Sequence, residues 1–292
     1  MRNPVPYSAL PNRPRWTLPD AAKVALWVIP NIEHFRYGQP STTIIPLTAG
    51  LVPDVLNHSW RDYGNRVGVW RMMDILQECG VQATAALNAE VTAEYPEIIS
   101  AGRELGWEWM GHGMTNSTLL AGMAEDEERA EISNTLRTIA AATGAPPRGW
   151  LGPALTETEH TLDLLAEAGV DYVADWVNDE QPYRIATRSR DIYSIPYSIE
   201  INDITAFLTL GRSGEEFADM ICDQFDVLYE DGATTGRVMS ICLHPFLIGH
   251  PHRAKHFKKA LKYITAHPGV WSATGSQIID CYSGAEAGDG SV

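Results

Sequence analysis

From residue 21 to residue 282 the chain alternates short, almost wholly apolar runs with longer amphipathic stretches. Ala21–Pro30 (AAKVALWVIP) is β-branched, apolar and closed by proline, which predicts a buried strand. Val81–Asn88, Trp107–Met110, Pro147–Leu151, Val170–Ala174, Asp191–Pro196, Ile204–Leu210, Val238–Leu243 and Val270–Ser272 read as further strands. Within Asn65–Gly80, Val69, Met72, Met73 and Leu76 recur at helical spacing, and Gly80 stands where a helix ends. Pro96–Leu105 has proline in its first turn. Glu125–Thr143 puts acids in its first turn, where the helix dipole favours them, and is followed by Gly144. Thr156 with Glu159, and Ser213 with Glu216, have capping-box spacing, predicting helices that end at Gly169 and near Tyr229. Pro251 opens a helix with Phe257, Leu261 and Ile264 on one face, and Gln277–Tyr282 is a last helix.

About seven strand–helix alternations require a parallel sheet, hence an α/β fold. No glycine-rich fingerprint follows the first strand, and Gly111-His112-Gly113 lacks the Lys-Ser/Thr of a phosphate loop. A (β/α) barrel of seven or eight units therefore fits better than an open dinucleotide-binding sheet, and no nucleotide cofactor is expected. No linker divides residues 21–282, so one barrel domain is expected, with 1–20 as an extended arm and 283–292 as a flexible tail.

Charge narrows the partners. Lys plus Arg is 22 and Asp plus Glu is 37, a net −15 over 292 residues. Such an acidic chain does not suit nucleic acid or an anionic membrane surface. No apolar run approaches a bilayer span and the first residues lack a signal-peptide core, so a cytoplasmic protein is expected. Cys79, Cys222, Cys242 and Cys281 form no CxxC pair, which agrees with a reducing compartment.

In a parallel barrel the strand C-termini share the face that carries the chemistry. Asn31, Glu33 and His34 follow the first strand, Asn88 and Glu90 the second, and His112 and Asn116 the WEWM strand. Arg148 and Trp150 belong to the next, Asp175 and Trp176 follow VDYVA, and His244 follows VMSICL. Glu33 is either a solvated loop acid or a base or ligand in a cleft. His112 and Asn116 either coordinate a metal or make local hydrogen bonds. His244 is either a core histidine or part of the site. His250, His252 and His256 fit the exposed start of a helix better than a metal cluster. Trp107 and Trp109 should share one sheet face, with Glu108 on the other.

These pieces, in this order, resemble the polysaccharide deacetylase superfamily over roughly residues 20–282. Asn31-Ile32-Glu33-His34 stands in the place of its paired acids, His112-Gly113-Met114-Thr115-Asn116 in that of its His-x-x-x-His, Arg148–Pro153 in that of its arginine loop, Asp175-Trp176 in its fourth motif and Leu243-His244 in its fifth. Ser240–Arg253 is similar to the signature of the branch that acts on cyclic C–N bonds, the allantoinases and cyclic imide hydrolases. The resemblance implies a deformed (β/α) barrel, hydrolysis of a small cyclic amide, and a homo-oligomer, dimer or tetramer. By the same resemblance Glu33, His244, Asn31, Asp175 and Arg148 are catalytic positions, with Arg148 paired to Asp175. Trp150, Trp176 and Asn88 would contact substrate, and Glu33, His112 and Asn116 would hold a divalent metal, zinc first, if one binds. The chain departs from the family at Asn31, which cannot act as a base, and at Asn116, a weak zinc ligand. An N-deacetylase of an amino sugar or glycan, and a non-catalytic metabolite-binding barrel, are the alternatives.

Overall fold

A computed structural model describes residues 3–5, 7–39, 45–48 and 50–289. Its strands are β1 (Val24–Ile32), β2 (Thr84–Leu87), β3 (Glu108–Gly111), β4 (Gly149–Trp150), β5 (Tyr172–Val173), β6 (Tyr183–Ile185), β7 (Ile192–Ser194), β8 (Arg237–Leu243) and β9 (Val270–Ser272). They form one sheet in the order β6-β7-β5-β4-β3-β2-β1-β8, with β9 on β1, and every pairing is parallel except β6 with β7. Beyond β7 the chain reaches β8 through an Asn202–Cys242 bridge and the Cys242 N–H to Ile201 carbonyl bond of 3.0 Å. The sheet thus curls into the single-domain, deformed (β/α) barrel expected.

Two-residue alternation divides the strands between two cores. Val24, Leu26 and Val28 of β1, Ala85 and Leu87 of β2, and Met239, Ile241 and Leu243 of β8 point outward under the helices. Ala25, Trp27 and Ile29, Ala86, Met110, Val238 and Cys242 point into the barrel. Because both faces are covered, β1 is buried at all nine positions, which is why it reads as a continuous apolar run. Trp107 and Trp109 pack together outside, as expected, with ring centres 6.3 Å apart.

The helices are α1 (Val55–Tyr63), α2 (Val69–Glu78), α3 (Val91–Glu94), α4 (Pro96–Glu104), α5 (Glu125–Thr143), α6 (Thr161–Glu167), α7 (Gly214–Asp231), α8 (Pro245–Ile248), α9 (Pro251–Thr265) and α10 (Gly275–Asp289). The Ser213–Glu216 capping box forms as predicted. The Thr156–Glu159 box does not: the Thr156 hydroxyl bonds the Pro153 carbonyl, and the helix starts later, after His160. Ile204–Leu210, expected as a strand, contains a π-helical turn over Thr205–Thr209. Its alternating apolar residues suit a short buried segment of either kind, and periodicity alone cannot separate them. Neither α1 nor the antiparallel β6 was signalled in the sequence. The last helix runs into the expected tail as far as Asp289, and the final three residues lie outside the described residues. The N-terminal arm is fastened by buried Trp16 and Leu18 and by Arg13, which forks onto both oxygens of Asp179 at 2.6 and 2.7 Å. Among the described residues no helix is long and apolar enough to cross a membrane.

Candidate active site

Strand register sets the site. Ile32, Leu87, Gly111, Trp150, Val173 and Ser194 are successive partners across the sheet, and Leu243 lies beside Pro30. The residues one step further along therefore share a rim: Glu33, Asn88, His112, Leu151 and His244. Alternation then selects among them. Asn31 and Glu33 continue the inward set Ala25, Trp27, Ile29; His112 continues Met110; His244 continues Val238 and Cys242. Glu33, His112 and His244 consequently converge, with Glu33 Oε1 3.6 Å from Nε2 of each histidine.

The orientation of each group follows from its other bonds. His112 Nδ1 lies 2.7 Å from the Leu151 carbonyl, which can only accept, so Nδ1 carries a proton. In the neutral ring Nε2 is then an acceptor, and it is buried with no hydrogen-bond partner among the described residues. His244 Nδ1 lies 2.7 Å from Asp203 Oδ1, and the His244 backbone N–H donates to Asp203 Oδ2 at 2.9 Å. Asp203 is fully buried. Burial pushes its carboxyl up, partly offset by His244. Burial also works against charge on His244, but Asp203 and Glu33 outweigh it and the imidazole is raised above its ordinary value. For Glu33, burial alone would raise the carboxyl; the nearby His244, with His112 and Arg61 adding to it, brings it below the usual range. Both shifts run in the direction that favours a carboxylate facing an imidazolium.

Asn88 and Asn116 form the support. Asn88 Oδ1 accepts the backbone N–H groups of His34 (2.9 Å) and Asn116 (3.1 Å), which fixes its amide orientation. Its Nδ2 must then donate, to the His112 carbonyl and to Asn116 Oδ1, the latter at 2.9 Å. That leaves Asn116 Nδ2 to donate to Glu33 Oε1 at 2.6 Å. Asn116 therefore presents N–H, not oxygen, to the site centre. The expected metal set of Glu33, His112 and Asn116 does not fit a three-ligand ion in this arrangement, although the orphaned His112 Nε2 has the character of a ligand. Among the described residues no group of three or more His, Cys, Asp or Glu side chains is arranged to hold a metal.

Other sequence candidates fall elsewhere. Asn31 Nδ2 donates to the Leu243 carbonyl at 3.2 Å and to the Tyr197 hydroxyl at 3.2 Å, tying down the strand end that carries His244. Asn88 is fully buried among these supporting bonds and offers no substrate contact. Trp150 was expected to wall the pocket, but its position has outward parity. It is fully buried under α5 and α6, beside Ile132, Leu136 and Leu165. Arg148 does not pair with Asp175. It precedes β4, at the opposite end of the barrel, and binds Asp171 (2.6 Å) and Asp280 (2.7 Å). Asp175 instead accepts the Gly152 N–H at 2.7 Å beside Glu157, whose carboxyl burial pushes up to about 7. Trp176 donates its indole N–H to Glu157 at 3.1 Å and packs outward against the α6 core. His250 occupies the N-cap position of α9, and its ring stacks on Tyr63, consistent with a helix-start role. A cleft of about 820 Å³ opens between the N-terminal arm and α10, but no residue of the His112–Glu33–His244 cluster lines it.

Sequence reasoning missed Asp203 and Arg61. Asp203 lies in a segment read as the approach to a strand, and only tertiary contact reveals its partner. Arg61 lies on α1, whose sequence gave no helical signal.

Comparison with known proteins places these residues in context. The family profile described as polysaccharide deacetylase matches residues 60–173. A Schizosaccharomyces pombe protein described as a polysaccharide deacetylase is 26% identical over 294 residues, covering 91% of this chain and 92% of its own. The solved structure of a probable polysaccharide deacetylase from Pseudomonas aeruginosa PAO1 is 29% identical with a TM-score of 0.84, over 93% of this chain and 94% of that one. The PuuE allantoinase structure is 26% identical with a TM-score of 0.85, over 94% of each chain.

Proposed function

We propose that this chain is a member of the polysaccharide deacetylase superfamily, which it resembles in sequence and fold, and that it hydrolyses a non-peptide C–N bond in a small cyclic amide, an imide or ureide ring. The observation that carries a hydrolytic role is Glu33 Oε1 standing 3.6 Å from Nε2 of both His112 and His244. What favours a ring is the likeness to the PuuE allantoinase along 94% of the chain.

In this mechanism a water gives one hydrogen bond to Glu33 Oε1 and the other to His112 Nε2, both acceptors, and turns its lone pair toward the ring carbonyl. Its oxygen bonds the carbonyl carbon, the carbonyl π pair moves onto oxygen, and Glu33 takes the proton. When the oxyanion collapses the C–N bond breaks, its electron pair goes to nitrogen, and His244 Nε2 supplies the proton. Asp203 holds the His244 tautomer and steadies its positive charge. The proton on Glu33 then restores His244 across the same 3.6 Å. Asn116 keeps Glu33 aimed, and Asn88 keeps Asn116 aimed.

The test is ring-opening absorbance with succinimide, hydantoin, dihydrouracil and allantoin, with and without chelator, alongside elemental analysis. Turnover of at least one ring supports the reading. Release of acetate from chitin oligomers with no ring opening would replace it with N-deacetylation, which the descriptions of the S. pombe and P. aeruginosa relatives favour. Tight ring binding without turnover would make the barrel a binding protein.

A further inference from the structure

Asp175 points away from the site. Tyr172 and Ala174 belong to the barrel interior and Val173 to the layer under the helices, so the next step along the chain puts Asp175 on the outer side. We propose that Asp175 acts from there as a positioning residue: through the Leu151–Gly152 peptide it holds His112 in the tautomer that leaves Nε2 as the acceptor for the attacking water. What Nε2 does rests on the hydrolytic reading; how His112 is held does not.

The connection forms where the parallel ladder runs out. The Leu151 N–H still bonds the Gly111 carbonyl on β3, and the Ala174 N–H the Trp150 carbonyl, both at 2.9 Å. The next two positions are taken by side chains. His112 Nδ1 donates to the Leu151 carbonyl at 2.7 Å, and the Gly152 N–H donates to Asp175 Oδ1 at 2.7 Å. That carbonyl and that N–H belong to one peptide group, whose trans geometry points them in opposite directions. The imidazole and the carboxyl therefore hold the two ends of a single dipole. Linked hydrogen bonds polarise one another, so the acceptor that fixes the His112 proton is itself fixed and strengthened by Asp175. His244 is backed by Asp203 directly; His112 is backed by a carboxyl one peptide removed.

Only glycine lets the carboxyl come this close. A Cβ on Gly152 would lie 2.6 Å from the Thr156 carbonyl oxygen and 3.2 Å from Asp175 Oδ2. Asp175 is also held from behind. Its Oδ2 is buried and finds no N–H or hydroxyl donor among the described residues. Burial, with the Glu157 carboxyl beside it, pushes Asp175 well above the usual carboxylate range, which favours one proton held between the two carboxyls. Glu157 is anchored in turn by the Trp176 indole N–H at 3.1 Å.

The experiment records imidazole nitrogen NMR and steady-state kinetics on wild type, Asp175→Ala and Asp175→Asn, with thermal melting as the control for folding. Wild-type His112 should be the Nδ1–H tautomer. Asp175→Ala should populate the Nε2–H form and lose about 10²-fold in kcat, the scale of a small displacement at the reacting groups, with KM changed little. An amide at this position can accept from Gly152 and donate to Glu157. Asp175→Asn should therefore restore the tautomer and recover about tenfold of the lost kcat. An unchanged tautomer in Asp175→Ala overturns the proposal whatever happens to kcat, because a merely structural loss leaves the ring proton where it was. Asp175→Asn behaving like Asp175→Ala overturns it too. If Asp175→Ala does not fold, the wild-type spectrum decides: an Nε2–H tautomer at His112, or a Gly152 amide proton exchanging at the solvent rate, overturns the proposal, and Nδ1–H with a protected amide supports it. If the wild type opens no ring while the tautomer responds as stated, the functional reading falls and the hold of Asp175 on His112 stands.

Discussion

The barrel holds an inward-facing glutamate at each end, and the two are treated in opposite ways. At the amino-terminal end Glu108 accepts from the Thr84 hydroxyl (3.0 Å), the Tyr172 hydroxyl (3.0 Å), the Ser276 backbone N–H (3.1 Å) and the Ser276 hydroxyl. Its acceptor sites are filled by protein donors. At the carboxyl end Glu33 has, among the described residues, one side-chain donor, Asn116, and two imidazole nitrogens standing 3.6 Å away, wider than a hydrogen bond. A satisfied carboxylate closes a core; an under-satisfied one keeps acceptor capacity for a water or a substrate.

Four changes would break or sharpen that contrast. Glu33→Gln should lower turnover by about 10²–10⁴-fold without lowering the melting temperature; near-normal turnover would remove Glu33 from the chemistry. Glu108→Ala should do the reverse. It strands buried hydroxyls and an N–H, each worth about 1–3 kcal/mol, so urea unfolding should show a loss of about 3 kcal/mol while kcat of the folded fraction holds; an unchanged midpoint would show that Glu108 is not a structural anchor.

Asp203→Asn should lower kcat by about 10²-fold and also move the pH profile. In the wild type His244 is raised, so the alkaline limb of kcat/KM falls above the ordinary histidine range, and Glu33 is lowered, so the acid limb lies below the ordinary glutamate range. Removing the Asp203 charge should draw the alkaline limb to lower pH, and a limb that does not move would mean another group sets it. The same shift has a stability consequence. A raised histidine stabilises the fold below its unfolded value, and that contribution is lost as pH rises through the folded value. The smallest effect belongs to Arg148→Ala. Its ion pairs with Asp171 and Asp280 are partly exposed, so at most about 1 kcal/mol should be lost. Turnover should be unchanged, and a large kcat loss would return Arg148 to the site from which its contacts remove it.

The sequence by itself determined the parallel sheet, most strand positions and the choice of rim. Those signals are local: apolar runs stopped by proline, glycine after helices, acids in first turns. Carried two residues at a time past each strand end, the same alternation also separates inward Glu33, His112 and His244 from outward Trp150, because side chains change face at every step. Folding alone decided the rest. Asp203 meets His244 across 41 residues, and Asn88 meets Asn116 across 28. Arg148 pairs at the far end of the barrel with a helix 132 residues away. Which polar groups find each other depends on the curl of the sheet and the close approach of Gly64 and Gly68 to the turn after His244, and no spacing along the chain encodes those distances.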